Sequence, residues 1–193
     1  MTRHTEHLKV IEAYALSRGA NTRRVKSYVG NPQASVAIVG WQMPEEDRAP
    51  FVSVPLNLVR ETLSIMGVTP SMVFLTNVVK YWLPPDQVFV LADWKELLLR
   101  EIEIVGPKAV IVLGGAAARC VLGGHGEMDR FRKTRFSLAR FPQTTFFATY
   151  GPEELVRAQS SVRTARTLEF RSDLRAVFDV NQLYFANSQT RIQ

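Results

Sequence analysis

The chain has 193 residues, of which 46% are hydrophobic, 10% aromatic and 22% charged; this suffices for one well-buried core and argues against wholesale disorder. No apolar run approaches the roughly 20 residues needed to cross a bilayer, and the charged opening stretch Met1–Tyr14 does not read as a secretory signal, so membrane and export classes are excluded here. The net charge is +6 and there is a single cysteine, Cys120, which excludes a disulfide framework, an all-cysteine zinc site and an ordinary iron–sulphur cluster, and makes a reducing cytoplasm the expected compartment.

Strand and helix signals alternate along the chain. His4 to Arg18 reads as an opening helix, with Leu8, Ile11 and Ala15 at helical spacing and Gly19 as its stop. Ala20 to Gln33 is polar and basic without periodicity and reads as a loop. Ser35 to Gly40 is a short apolar run ending in glycine, the pattern of a buried parallel strand. Pro55 to Met66 reads as a helix with Leu58, Val59, Leu63 and Met66 on one face and Gly67 after it.

Met72 to Val79 is the second strand, and Val90 to Val105 a helix dense in leucine and charge. Ala109 to Leu113 is the third strand, followed by a helix from Gly114 to Gly123. Gly124 to Pro142 reads as a basic loop with room for a hairpin. Thr145 to Thr149 is the fourth strand, and a last helix runs from Val162 to Phe178. The polar segment 181–193 reads as a frayed tail on a single domain of residues 1–180.

Strands alternating with helices predict a three-layer α/β/α sandwich around a central, mainly parallel four-stranded sheet. Ligands of such sheets bind beyond the carboxyl ends of the strands. The segments Trp41–Asp47, Thr76-Asn77 and Tyr150–Glu154 emerge there and are expected to converge on one pocket. Asn77 stands out among them, because an amide at the end of an apolar strand is costly to bury without a partner.

Charge is unevenly placed. Arg119, Arg130, Arg132, Lys133, Arg135 and Arg140 fall in one stretch, opposed by Glu127 and Asp129, and Arg157, Arg163, Arg166, Arg171 and Arg175 follow. The isoelectric point, about 9.8, exceeds the value of roughly 9 that marks many nucleic-acid-binding domains. Arginine suits forked contact with phosphate oxygens, so the charge favours a nucleic-acid partner over the alternative of a solvated cationic face.

Four stretches, in order, resemble the uracil-DNA glycosylase superfamily, nearest to its iron–sulphur branch. They are Val36–Gly40 through Pro50-Phe51-Val52, Thr76-Asn-Val-Val-Lys80, Gly106–Gly114 and Thr149–Arg157. The resemblance covers roughly Asn31 to Phe178. The chain also departs from that branch. Tyr81 and Trp94 stand where cluster cysteines are expected, Gly40-Trp-Gln-Met-Pro44 replaces the usual first motif, and Gly151 stands where the closing motif has histidine. The resemblance therefore implies the glycosylase scaffold without its metal cluster or any other cofactor.

Cleaving an N-glycosidic bond requires a flat surface for the base, donors to its carbonyl edge, and a carboxylate or oriented water at the sugar. The resemblance assigns base binding to Gly40, Trp41, Phe51, Asn77 and Gly151. Phe51 would stack on the flipped base, though alone it reads as a core phenylalanine. Asn77 would read a pyrimidine edge. Gln42 would orient water, and Glu46 or Asp47, with Glu45 as a further candidate, would supply the carboxylate. His125 is a candidate donor in place of the missing imidazole. Arg130, Arg132, Lys133, Arg135 and Arg157 would contact phosphate, with Leu155 as an intercalating wedge.

The resulting expectation is a monomeric, monofunctional DNA glycosylase acting on a flipped non-standard pyrimidine, in base-excision repair or in defence against phage DNA with modified bases. Two other readings stay open: a catalytically silent DNA-binding module on the same scaffold, and an enzyme acting on free nucleotides.

Overall fold

In the computed structural model, described over residues 27–42, 54–80, 91–125 and 127–180 with residues 6, 8–10, 13 and 17, six strands form one sheet. They are β1 (Tyr28–Gly30), β2 (Val36–Gln42), β3 (Val73–Val79), β4 (Ala109–Leu113), β5 (Phe136–Ser137) and β6 (Thr145–Thr149), in the order β1-β3-β2-β4-β6-β5. The four central strands run parallel, as expected. Each edge adds a short antiparallel strand. The helices are α1 (Val54–Ile65), α2 (Leu91–Val105), α3 (Gly115–Leu122), α4 (Met128–Phe131), α5 (Pro152–Arg157) and α6 (Ser160–Val180).

The central strands are apolar almost throughout because both faces are covered. Every residue of β3 and β4 is buried, which is why these strands read as continuous hydrophobic runs rather than alternating ones. Burying each valine, leucine or isoleucine stabilises the fold by about 1.5–3 kcal/mol. Side chains alternate between faces, and the parallel register aligns Leu75 with Ile38, Ile38 with Ile111, and Ile111 with Phe147. These four share the face that also carries Gly40, Asn77, Leu113 and Thr149. Leu63 of α1 lines a cavity with Val73 and Leu75 on this face, and α6 meets Ile111, Phe147 and Thr149 at another. The opposite face carries Thr76, which bonds Glu101 of α2. Helices on both sides complete three layers.

Parts of three expected loops prove to be structured, and within Gly124–Pro142 these are α4 and β5. Within the polar stretch Ala20–Gln33, Tyr28–Gly30 form β1, whose Tyr28 ring stacks on Phe74 with centroids 5.0 Å apart. Three residues are too few to carry a period, and the open edge of β3 recruits them. The closing motif, expected as a loop after β6, turns straight into α5 with Pro152 in its first turn. Proline fits there because its missing N–H is not needed. The expected opening helix is helical at each described position, and Leu8 is buried.

Candidate active site and DNA-facing surface

The chain order reverses between β2 and β4, since β3 follows on one side of β2 and β4 on the other. Sheets of this kind open a crevice beyond the carboxyl ends at that switch point. Gly40 and Asn77 are register partners at this end of β2 and β3, and Gln42 pairs with Val79 two residues on. By alternation Gln42, Gly40 and Asn77 share a face. Gly40 adds no side chain beside the amide.

Asn77 is 1% exposed, and neither its Oδ1 nor its Nδ2 has a hydrogen-bond partner among the described residues. Leaving a buried polar group unpaired costs about 1–3 kcal/mol. An amide with both ends unpaired at the switch point is therefore placed to receive a ligand edge that donates and accepts. The backbone beneath it is fixed from the other face. Thr76 Oγ1 donates to Glu101 Oε2 at 2.8 Å, Lys80 Nζ donates to Thr76 Oγ1 at 2.8 Å, and Lys80 also pairs with Glu101. Burial lowers the Lys80 ammonium from its ordinary range, while the charge and hydrogen bond of Glu101 oppose that shift. The sequence signal for this lock was Lys80 itself, a cation closing an apolar strand.

The loops after β4 and β6 meet at two glycines. A Cβ on Gly151 would lie 3.1 Å from Gly114 Cα, and Gly114 holds φ at 86°, a region that disfavours side chains. Glu154 ties the pair together: its Oε2 accepts from the Gly151 N–H at 3.0 Å and its Oε1 from the Gly115 N–H at 3.1 Å. Glu153 lies on the same corner, with Oε2 3.4 Å from the position a Gly151 Cβ would take. Burial pushes the Glu153 carboxyl above its ordinary range; Glu154 adds to this, while a backbone hydrogen bond and Arg157 oppose it. Neither glutamate stands out in the sequence, where Tyr150–Glu154 reads as a loop after the fourth strand.

The expected phosphate contacts divide sharply. Arg130, Lys133, Arg135 and Arg157 are exposed and form no ion pair among the described residues. Lys133 adopts φ of 61°, the one positive value at a non-glycine among them, and with Arg135 it lines a cavity of about 300 Å³ against α6. Arg132, by contrast, is 7% exposed. Its Nε donates to Asp173 at 2.8 Å, and its Nη1 donates to Glu169 at 2.8 Å and Tyr150 Oη at 2.9 Å. Burial works against that charge and Asp173 more than offsets it, holding the guanidinium above its usual range. Arg132 therefore anchors α6 to the end of β6 and leaves the phosphate-contacting set.

Leu155 is corrected in the same way. It is 1% exposed, turned inward because α5 packs on α1 and α6, and an internal leucine cannot serve as a wedge. Its neighbour Val156 is 42% exposed. His125 is exposed in the turn after α3. Trp41 is half-buried against the core. Glu45, Glu46, Asp47, Phe51 and Tyr81 lie outside the described residues. The larger cavity, about 440 Å³ between α1 and Pro70–Val73, sits at the amino-terminal end of β3, the wrong end for the switch-point site.

Trp94, which the resemblance sets where a cluster cysteine is expected, is buried in α2, and Cys120 is buried in α3. One thiol cannot furnish the four thiolates of such a cluster, so these residues do not fit one. Among the described residues no three His, Cys, Asp or Glu side chains gather as a metal site, and no helix is long and apolar enough to cross a membrane.

A family model described as the uracil DNA glycosylase superfamily matches residues 27–175, which take in all six strands. The Type-4 uracil-DNA glycosylase of Archaeoglobus fulgidus is 31% identical over 103 residues, covering 48% of this chain and 50% of that protein. The chain thus spans about half the length of this curated relative. With its mainly parallel sheet, its switch-point asparagine and this match over most of its length, the chain belongs to the uracil-DNA glycosylase superfamily.

Proposed function

We propose that the protein is a monofunctional DNA glycosylase that hydrolyses the N-glycosidic bond of a non-standard pyrimidine flipped out of DNA. The observation that carries this reading is Asn77, a buried amide whose two polar ends have no partner among the described residues. Such an amide can donate to a base carbonyl and accept from a ring N–H. The contact strengthens as negative charge develops on the departing base, which is what lowers the barrier. Gly40 leaves room beside it, and Gln42 on the same face orients water toward the sugar. Phe51 stacks on the base, and Glu46 or Asp47 takes the proton of the water.

Arg130, Lys133, Arg135 and Arg157 supply an exposed cationic surface for the DNA backbone. The departures of Gly40–Pro44 and Gly151 from the family pattern favour a base other than plain uracil, in repair or in defence against modified phage DNA. The protein is proposed to work as a cytoplasmic monomer. The test is incubation with genomic and phage DNAs of differing base modification, followed by assay for alkali-labile abasic sites. Sites are expected in at least one modified DNA. Binding to every DNA with no base release would assign the chain to a silent DNA-binding role instead.

A further inference from the structure

Bond cleavage leaves an electron pair on the ring nitrogen of the base, and a donor to that base lowers the barrier. Gly151, at the carboxyl end of β6, brings no side chain to this task. The space beside it is not empty of chemistry, however: a carboxyl group lies 3.4 Å from where a Cβ on Gly151 would stand. We propose that this carboxyl, Glu153, is a catalytic residue that donates a proton to the departing base. The assignment rests on the glycosylase reading and names a group within that site.

Several observations converge on Glu153. It follows the β6 corner, where Gly151 and Gly114 are in close approach, so short backbone segments fix its position. Pro152 starts α5 and is itself buried, which limits how far the corner can move. Its neighbour Glu154 cannot take the role, because both its oxygens are occupied by the Gly151 and Gly115 N–H groups. Burial favours the protonated form of Glu153, and the adjacent Glu154 carboxylate reinforces this, against Arg157 and a backbone hydrogen bond. Of the elements beside α5, α1 carries Arg60 and Glu61, α6 carries Arg163, Arg166 and Glu169, with Arg163 bonded to the Ala158 carbonyl at the end of α5, and α3 carries Arg119, whose guanidinium shares the space over Gly115 with Glu154.

The step balances without a further reactant. The glycosidic bond breaks with its electron pair going to the base, and a water oxygen bonds to the sugar carbon. Glu153 gives its proton to the base, the water gives one to the carboxylate that the proposed function assigns to Glu46 or Asp47, and both groups re-equilibrate with solvent. A carboxyl held toward protonation works at the pH of the cell only while its proton is retained, so activity should fall as pH rises through the Glu153 titration.

The experiment uses the full chain and oligonucleotides carrying uracil or 5-hydroxymethyluracil, with single-turnover base release followed across pH. Glu153→Ala should lower the rate by about a hundredfold with DNA affinity within about threefold of wild type. Glu153→Gln still donates through its amide and cannot titrate, so it should keep part of the activity and lose the alkaline fall. Thermal melts of both variants separate these effects from unfolding. If the wild type releases base while Glu153→Ala keeps its rate, or Glu153→Gln keeps the alkaline fall, the assignment is overturned and the glycosylase reading stands. Absence of base release by the wild type from these oligonucleotides and from every genomic and phage DNA tested would overturn both.

Discussion

Lys80 and Glu101 form an ion pair in which neither side chain is exposed, on the face of β3 opposite Asn77. Breaking such a pair strands one charge inside the protein, at a cost of about 3–5 kcal/mol. Lys80→Met should therefore destabilise the fold by that amount in urea denaturation. The double variant Lys80→Met/Glu101→Leu removes both charges and should recover most of the loss. A single variant as stable as the wild type would show that this pair does not hold the strand end.

Salt dependence should separate Arg132 from its neighbours. Arg132→Ala removes charged hydrogen bonds to Asp173 and Glu169 and should cost about 2–3 kcal/mol of stability, leaving the salt slope of DNA binding unchanged. Arg130→Ala and Arg135→Ala should leave stability nearly intact, and each should reduce that slope by about 1. The reverse pattern would place the DNA-facing surface elsewhere.

Arg140 grips α2 through Glu96 and Glu103. Hydrogen bonds from Arg140 and Arg100 lower the Glu96 carboxyl from 4.5 to about 2. A depressed carboxylate stabilises the fold above its unfolded value of 4.5, and that contribution is lost as pH falls toward 2. The effect on stability is small, because Glu96 is 45% exposed and screened by solvent. The titration is the sharper readout: Arg140→Gln should return the Glu96 carboxyl toward its ordinary value in an NMR pH series.

The meeting of Gly114 and Gly151 limits what position 151 can hold. With 3.1 Å between a Gly151 Cβ and Gly114 Cα, Gly151→Ala should cost about 1–3 kcal/mol, and Gly151→His at least as much. Thermal melting checks this, and an unchanged midpoint would mean that the two loops part easily.

What could be read from the sequence follows how local its cause is. Ala109–Leu113 and Thr145–Thr149 were delimited to the residue because each is a short, mostly apolar run bounded by glycine, proline or polar turns. Asn77 was recognisable as an amide inside such a run. Arg132 and Arg130 look alike locally, yet only Arg132 meets the carboxylates of α6, 37 and 41 residues away. Leu155 is buried because α5 packs on α1 and α6, a consequence of the tertiary fold that no local pattern carries. Glu153 stayed hidden for a related reason, since its place is set by the approach of two strand ends.

Asn77 remains the residue on which the whole account turns, and single-turnover base release by Asn77→Ala is its most direct test. The substrate is whichever uracil-containing or modified DNA the wild type cleaves. The side chain is expected to act mainly as the base departs, so the rate should fall by about a hundredfold or more while DNA affinity stays within about threefold. An Asn77→Ala variant that releases base at the wild-type rate would contradict the account.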